Sequence, residues 1–193
     1  KGWEGFGIVV QAYQKRTPYT IDYLADLARR IGHRLQVRLV KGAYWDAEIK
    51  RAQIDGLPGY PVFTRKQNTD VSYLACAKRL FGHRELLYPM FATHNAATIA
   101  AVKQIAQGRT YEHQKLHGMG DDLYAEVVPA DRLDVPCRVY APVGSHEDLL
   151  PYLVRRLLEN GANSSFVNRI TDEDVSIDDL IRDPVEAVSS FAS

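Results

Sequence analysis

Along this chain a short run with apolar residues recurs, ends in polar or glycine residues and usually gives way to a helical pattern. The expected strands cover 6–13, 35–40, 86–93, 111–116 and 137–141, and the near-continuous apolar character of the first suits a strand covered on both faces. Between them, Ile21, Leu24, Leu27, Ala28 and Ile31 recur at helical spacing within 20–31, and Gly32 closes that segment. A helix is expected over 46–53, followed by a Gly/Pro loop at 56–60. Asp70 is placed to cap the next helix, with Val71, Leu74, Ala75, Ala77 and Leu80 on its buried face. Further helices are expected over 96–107 and 147–159, the last with Ser145 as N-cap and Asp148 three positions on.

Alternation of this kind makes an α/β fold with parallel strands and crossover helices. No dinucleotide-binding glycine signature opens any of the helices, so an open sheet and part of a barrel both fit the pattern. The strand ends decide between them. Gln11, Lys41-Gly42, His94-Asn95, His117-Gly118 and Tyr140 place polar or glycine residues after every strand. A barrel assembles its site from all its C-terminal strand ends, whereas an open sheet concentrates it at one switch point. The expectation is therefore a (β/α)8 TIM-like barrel. A whole barrel needs about 250 residues, so 193 residues make up only part of one.

Lys plus Arg and Asp plus Glu both number 24, a balance that gives no broad attraction to nucleic acid or to an anionic membrane. Cys76 and Cys137 stand far apart with no CxxC, as reduced thiols do in a cytosolic protein, although a disulfide between them fits the sequence too. No apolar run approaches the length of a membrane span, and the first residues, Lys1 to Gly5, lack the apolar core of a signal peptide. With no initiating Met, the chain is expected to begin inside a larger product, and 171–193 reads as an exit segment or linker after the domain at 1–170.

Arg38 lies inside an apolar strand, where an unpaired charge costs several kcal/mol, so it either pairs with an acid on a neighbouring strand or faces a polar ligand. Lys41, at a strand end, can attack a carbonyl as a Schiff-base lysine or serve as a fixed cation for a cofactor. His94, Asn95 and the glycine-rich run 117–120 suit hydrogen bonds to phosphates or ribose better than metal ligation, for no acid completes a ligand set beside them. Thr64-Arg65-Lys66 is either a pyrophosphate site or a solvated basic turn. Arg155 and Arg156 flank the apolar stripe of the last helix; over a barrel mouth they would form a carboxylate clamp, with Tyr140 and Leu116 as the apolar wall of a small pocket.

Six stretches carry a family resemblance: RLVKGAYWDAEIKRAQ (38–53), FTRKQNTDVSYLACAK (63–78), FATHNA (91–96), LHGMG (116–120), CRVYAPVG (137–144) and YLVRRLLENGANSSFVNR (152–169). Together they resemble proline dehydrogenase, especially the domain found in bifunctional bacterial proline utilization A proteins. The resemblance implies a distorted barrel carrying non-covalent FAD that oxidises L-proline to Δ1-pyrroline-5-carboxylate and passes the electrons to a membrane quinone. It implies that Arg155 and Arg156 hold the proline carboxylate, that Tyr140 and Leu116 pack on its ring, and that Arg38 sits near flavin N5. Gln11, Lys41, Gly42, Ala43, Tyr44 and Trp45 would line the isoalloxazine or nearby parts of FAD, and Thr64, Lys66, Thr93, His94, Asn95, Leu116 and Glu159 the remainder.

By the same resemblance the chain corresponds to about strands 4 to 8 and the last helix of the barrel. Its partners would be the missing strands and a pyrroline-5-carboxylate dehydrogenase domain of the parent protein, with a homo-oligomer also among the expectations. The parent would be cytoplasmic or peripheral at the inner membrane, and no nucleic acid would bind through this segment. Two other readings stay open on the residues alone: a Lys41 Schiff-base lyase or aldolase, and a non-catalytic assembly module that associates through exposed sheet edges.

Overall fold

The computed structural model of the chain describes Trp3, residues 5–161 and residues 175–191, with the side chains of 157–161 excepted. Five parallel strands form one sheet: β1 (Gly7–Gln11), β2 (Leu35–Val40), β3 (Leu87–Ala92), β4 (Glu112–Leu116) and β5 (Cys137–Tyr140). Their spatial order is their sequence order, β1-β2-β3-β4-β5. All five C-terminal ends therefore fall on one edge of the sheet, and the strand order never reverses.

The helices are α1 (Thr17–Ile31), α2 (Trp45–Ile54), α3 (Lys66–Gly82), α4 (Ala96–Ala106), α5 (Asp121–Ala125), α6 (His146–Gly161), α7 (Ile177–Ile181) and α8 (Pro184–Ser189). α1 starts three residues before its expected boundary. Pro18 sits in its first turn, where a missing N–H removes no helical bond. At the other end Gly32, at φ 63°, is the left-handed residue that closes the helix. Ser145 caps α6 as expected, its hydroxyl accepting from Asp148 N at 3.3 Å.

α3 departs furthest from the sequence reading. It begins four residues ahead of Asp70, so Asp70 does not cap it but lies within it. Its buried face is Thr69, Ser72, Tyr73, Cys76, Ala77, Leu80 and Phe81, with Ala75 exposed and Val71 and Leu74 only half-buried. Apolar spacing alone misplaced that face because two of its residues are hydroxylic. Ser72 Oγ donates to Ala12 O at 2.8 Å and pins α3 to the end of β1.

Side chains alternate along each strand, so the pairing register sorts the sheet into two faces. Val10 and Ala12, Leu35, Val37 and Leu39, then Leu87 and Phe91, all turn towards α1, α3 and α4 and make the core with them. The opposite face is Val9 and Gln11, Gln36, Arg38 and Val40, Tyr88, Met90 and Ala92, Glu112, Gln114 and Leu116, and Arg138 and Tyr140. This second face is rich in polar groups that satisfy one another. Arg138 grips Glu112 with Nε to Oε1 and a second guanidinium nitrogen to Oε2, both at 3.0 Å, and Gln114 Nε2 donates to Glu112 Oε1 at 2.9 Å. Pro89 is tolerated inside β3 because Leu35 N donates to Leu86 O, which turns the even-numbered residues of β3 to β2. Pro89 thus faces the β4 side, where the ladder begins only at Met90 opposite Glu112.

On the helix face, His113 is fully buried among Phe91, Tyr111 and Tyr124, with ring centroids 5.2 to 6.4 Å away. Its Nδ1 lies 3.3 Å from Phe91 O. Burial pushes its pKa down from 6.5 to about 4, only partly opposed by the Phe91 carbonyl. Between those two values the unfolded chain binds a proton that the folded chain refuses, so stability falls as the pH drops through the window, by about 3 kcal/mol in all. Denaturant titrations from pH 7 to pH 4 are expected to show this slope, and His113→Leu to flatten it. His94, depressed in the same direction, leaves part of it. Equal slopes in the two chains would reject this account of His113.

Candidate active site

Every residue singled out at a strand end lies on the same edge of the sheet, because the strands are parallel and in sequential order. Arg38 and Tyr140 come from strands three places apart, β2 and β5, yet the guanidinium carbon of Arg38 stands 4.3 Å from the centre of the Tyr140 ring. No acid on β1 or β3 answers Arg38. Its register neighbours are Val9 and Met90, and Glu112 is already engaged by Arg138. Arg38 Nε is buried with no hydrogen-bond partner among the described residues. Burial raises the Tyr140 pKa, Arg38 and Arg156 lower it, and Tyr152 raises it, which puts α6 within electrostatic reach of the same place. Arg156 stacks over Tyr152 at 5.2 Å, and Arg155 over Tyr44 at 4.5 Å.

A second group lies along the ends of β1 and β2. Gln11 Oε1 accepts from Ala43 N at 3.2 Å and so ties the two strand ends together. Gly42 has φ 153°, and a Cβ there would lie 2.3 Å from the Tyr13 ring, so only glycine lets the backbone pass. Lys41 Nζ pairs with Asp70 Oδ1, and Lys66 Nζ meets the other oxygen of the same carboxylate at 3.2 Å. Enclosure pulls the Lys41 pKa below the usual lysine range, although Asp70 pulls it up. Tyr44 and Trp45 are both largely exposed; Trp45 Nε1 donates to Phe63 O at 2.8 Å, fixing the start of α2 to the segment that leads into Thr64.

The third group follows β3 and β4. Thr93 Oγ1 accepts from Asn95 N at 3.1 Å, and Asn95 Oδ1 accepts from Thr98 N at 2.9 Å, capping α4. Leu116 is buried, is paired with Tyr140 in the register, and donates its backbone N–H to His94 Nε2 at 3.3 Å. Burial keeps His94 below the usual histidine range, reinforced by Lys115, Arg156 and Arg38, so its ring is neutral near pH 7. His117 stands on the exposed turn after β4. Glu159 belongs to α6, but its side chain lies outside the described residues, as does the stretch 162–174.

Two residues of this neighbourhood escaped the sequence reading. The sequence places Asp70 as a cap, and its bridge between Lys41 and Lys66 becomes visible only once α3 lies beside the end of β2. Tyr124, on the short helix α5, is almost fully buried, and its hydroxyl donates to Thr93 O at 2.7 Å. The signal for α5 was slight: two acids, Asp121 and Asp122, directly after a glycine.

The proline dehydrogenase family pattern matches residues 1–169. A bifunctional protein PutA from Escherichia coli is 63% identical across 99% of this chain, which spans 15% of that protein. A mitochondrial proline dehydrogenase 1 from Caenorhabditis elegans is 29% identical across 84% of the chain, over 28% of its own length. Among solved structures, a mutant of proline utilization A from Bradyrhizobium japonicum superposes with a TM-score of 0.92 at 57% identity, covering 98% of this chain and 20% of its own. The same protein from Bdellovibrio bacteriovorus, inactivated by N-propargylglycine, gives 0.88 at 37% identity, covering 96% of this chain. The chain thus spans a fifth or less of these bacterial relatives, and with the family pattern over most of its length it belongs to the proline dehydrogenase family.

Proposed function

We propose that this chain is the flavin-binding arc of a proline dehydrogenase barrel, about strands 4 to 8 and the last helix, and that its C-terminal rim takes FAD and L-proline. The observation that carries the reading is Arg38, a cation within an apolar strand, stacked on Tyr140 and with a buried Nε still unpartnered among the described residues. The same pair supports the barrel reading. Three inter-strand steps separate β2 from β5, about 14 Å on a flat sheet, and these two side chains meet where the sheet bends towards their shared face. Sequential strand order with helices on the other face has the same sense.

The residues present fit a flavin dinucleotide. Arg38 offers a positive group with no ion-pair partner among the described residues, Gly42 offers backbone that only a glycine can place, and Lys41 and Lys66 are cations for phosphate oxygens, held by one carboxylate between them. Gln11, Ala43, Tyr44, Trp45, Thr64, Thr93, His94, Asn95 and Glu159 complete the proposed cofactor contacts. FAD, when bound, supplies the acceptor for the hydride that leaves proline C5 and hands the electrons on to a quinone. The chain's own residues do the rest. Arg155 and Arg156 bind the substrate carboxylate, Leu116 and Tyr140 form the apolar wall that orients the ring and excludes water, and the Arg38 guanidinium favours the electron-rich product state. The Asp70 bridge counts against the Schiff-base alternative, because it holds Lys41 in an ion pair.

Among the described residues no helix is long and apolar enough to cross a membrane. Delivery of electrons to a membrane quinone, and pairing with a pyrroline-5-carboxylate dehydrogenase domain, are proposed for the longer protein that carries this segment.

The test is an anaerobic titration of that longer protein with L-proline. The expected result is loss of the flavin's visible absorption in proportion to added proline; a colourless protein that FAD cannot reconstitute would sink the reading. Arg156→Met is expected to raise KM for proline about 30-fold, as the loss of a charge-assisted carboxylate contact of about 2 kcal/mol implies, with a smaller change in kcat. An unchanged KM would remove Arg156 from the substrate site.

A further inference from the structure

We propose that the segment from Leu116 to Tyr124 is a clamp that holds His94 in one ring orientation and one tautomer, leaving Nδ1–H as a donor to an anionic oxygen of the cofactor. The inference rests on the flavin reading and gives a role to the glycine-rich turn 117–120, for which the proposed mechanism has no other use. A backbone amide can only donate, so the bond from Leu116 N makes His94 Nε2 the acceptor and puts the ring proton on Nδ1. That Nδ1 has no partner among the described residues. Two further contacts close on the ring. The Gly120 backbone comes so near that a Cβ there would lie 3.0 Å from His94 Cδ2. The Tyr124 ring stands edge-on, 6.5 Å between centroids at 85°. Tyr124 is itself tied down by its hydroxyl bond to Thr93 O, the residue before His94. The amide from β4, the glycine of the turn and the tyrosine of α5 thus act on one imidazole, and all three are positioning groups rather than catalytic ones.

Two glycines of the turn supply the control. Gly118 and Gly120 both have left-handed backbone, φ 78° and 69°, so an alanine strains each alike. Only at Gly120 would the new methyl press on His94; at Gly118 nothing lies within 4 Å. The readouts are the FAD dissociation constant of the longer protein, by equilibrium dialysis, and its melting temperature. Gly120→Ala is expected to weaken FAD about tenfold, the effect of losing about 1.4 kcal/mol, and Gly118→Ala by about twofold or less at a similar melting temperature. Tyr124→Phe, which removes the hydroxyl that bonds Thr93 O and reaches Gln114 O at 3.5 Å, is expected to fall between them and stands in should Gly120→Ala fail to fold. The tautomer is read separately. His94→Asn places an amide N–H near the Nδ1 position and is expected to retain FAD, whereas His94→Gln reaches the Nε2 position and is expected to lose it. Equal affinities for the two glycine variants, or better binding by His94→Gln than by His94→Asn, would overturn the clamp while leaving the flavin reading intact. An unaltered protein that binds no FAD would overturn both.

Discussion

The guanidinium of Arg38 rests on the ring of Tyr140, and most of what this chain offers chemically depends on that contact. A strand interior is a costly place for a charge, and no carboxylate on the neighbouring strands offsets it. The aromatic face offsets part of the cost, since a cation over a ring is favourable and more so when desolvated. The pair also joins the second strand to the last, which brings the ends of β3 and β4, with His94 and Leu116, between them on a common rim. Arg156 on α6 reaches the same place electrostatically. A polar ligand seated there would complete the hydrogen bonding that the described residues leave open at Arg38 Nε.

The two faces of the sheet are built on different principles. Towards the helices the buried side chains are apolar apart from His113, and the core runs unbroken from Val10 to Phe91 and on to Val102 of α4. Away from the helices, polar groups are tolerated because they answer one another, as Glu112 does with Arg138 and Gln114. Arg138 adds a side-chain bridge between β4 and β5, whose register puts Tyr140 opposite Leu116. The proline utilization A chain of Bradyrhizobium japonicum is about five times as long as this segment, ample length to cover such a face there.

Much of the architecture was legible from the chain. All five strands lie within a residue or two of their expected bounds, although only β1 and β3 are nearly apolar throughout and β4, Glu112–Leu116, is mostly polar. The rim was legible too, because a polar or glycine residue directly after such a run has few structural reasons to be there. Contacts between elements distant in sequence were not legible. Arg38 offered a choice between a neighbouring acid and a ligand, and an aromatic ring three strands away was on neither side of that choice. Asp70 sat at a plausible cap position, but the helix began earlier at Lys66, where the backbone leaves its extended conformation at Arg65. Tyr124 was hidden in a helix of five residues, too short for any period to show.

The most direct measurement is the reduction potential of the flavin in the full-length protein, compared with that of its Arg38→Met variant. Methionine keeps an apolar stem in the strand and removes the charge. If Arg38 stands against the cofactor, losing its positive charge disfavours the electron-rich reduced form, and the potential should move to more negative values by about 30 mV, the equivalent of 1.4 kcal/mol for a two-electron couple. An unchanged potential, in a variant that still binds flavin, would mean that Arg38 serves the sheet alone and that the cofactor lies elsewhere.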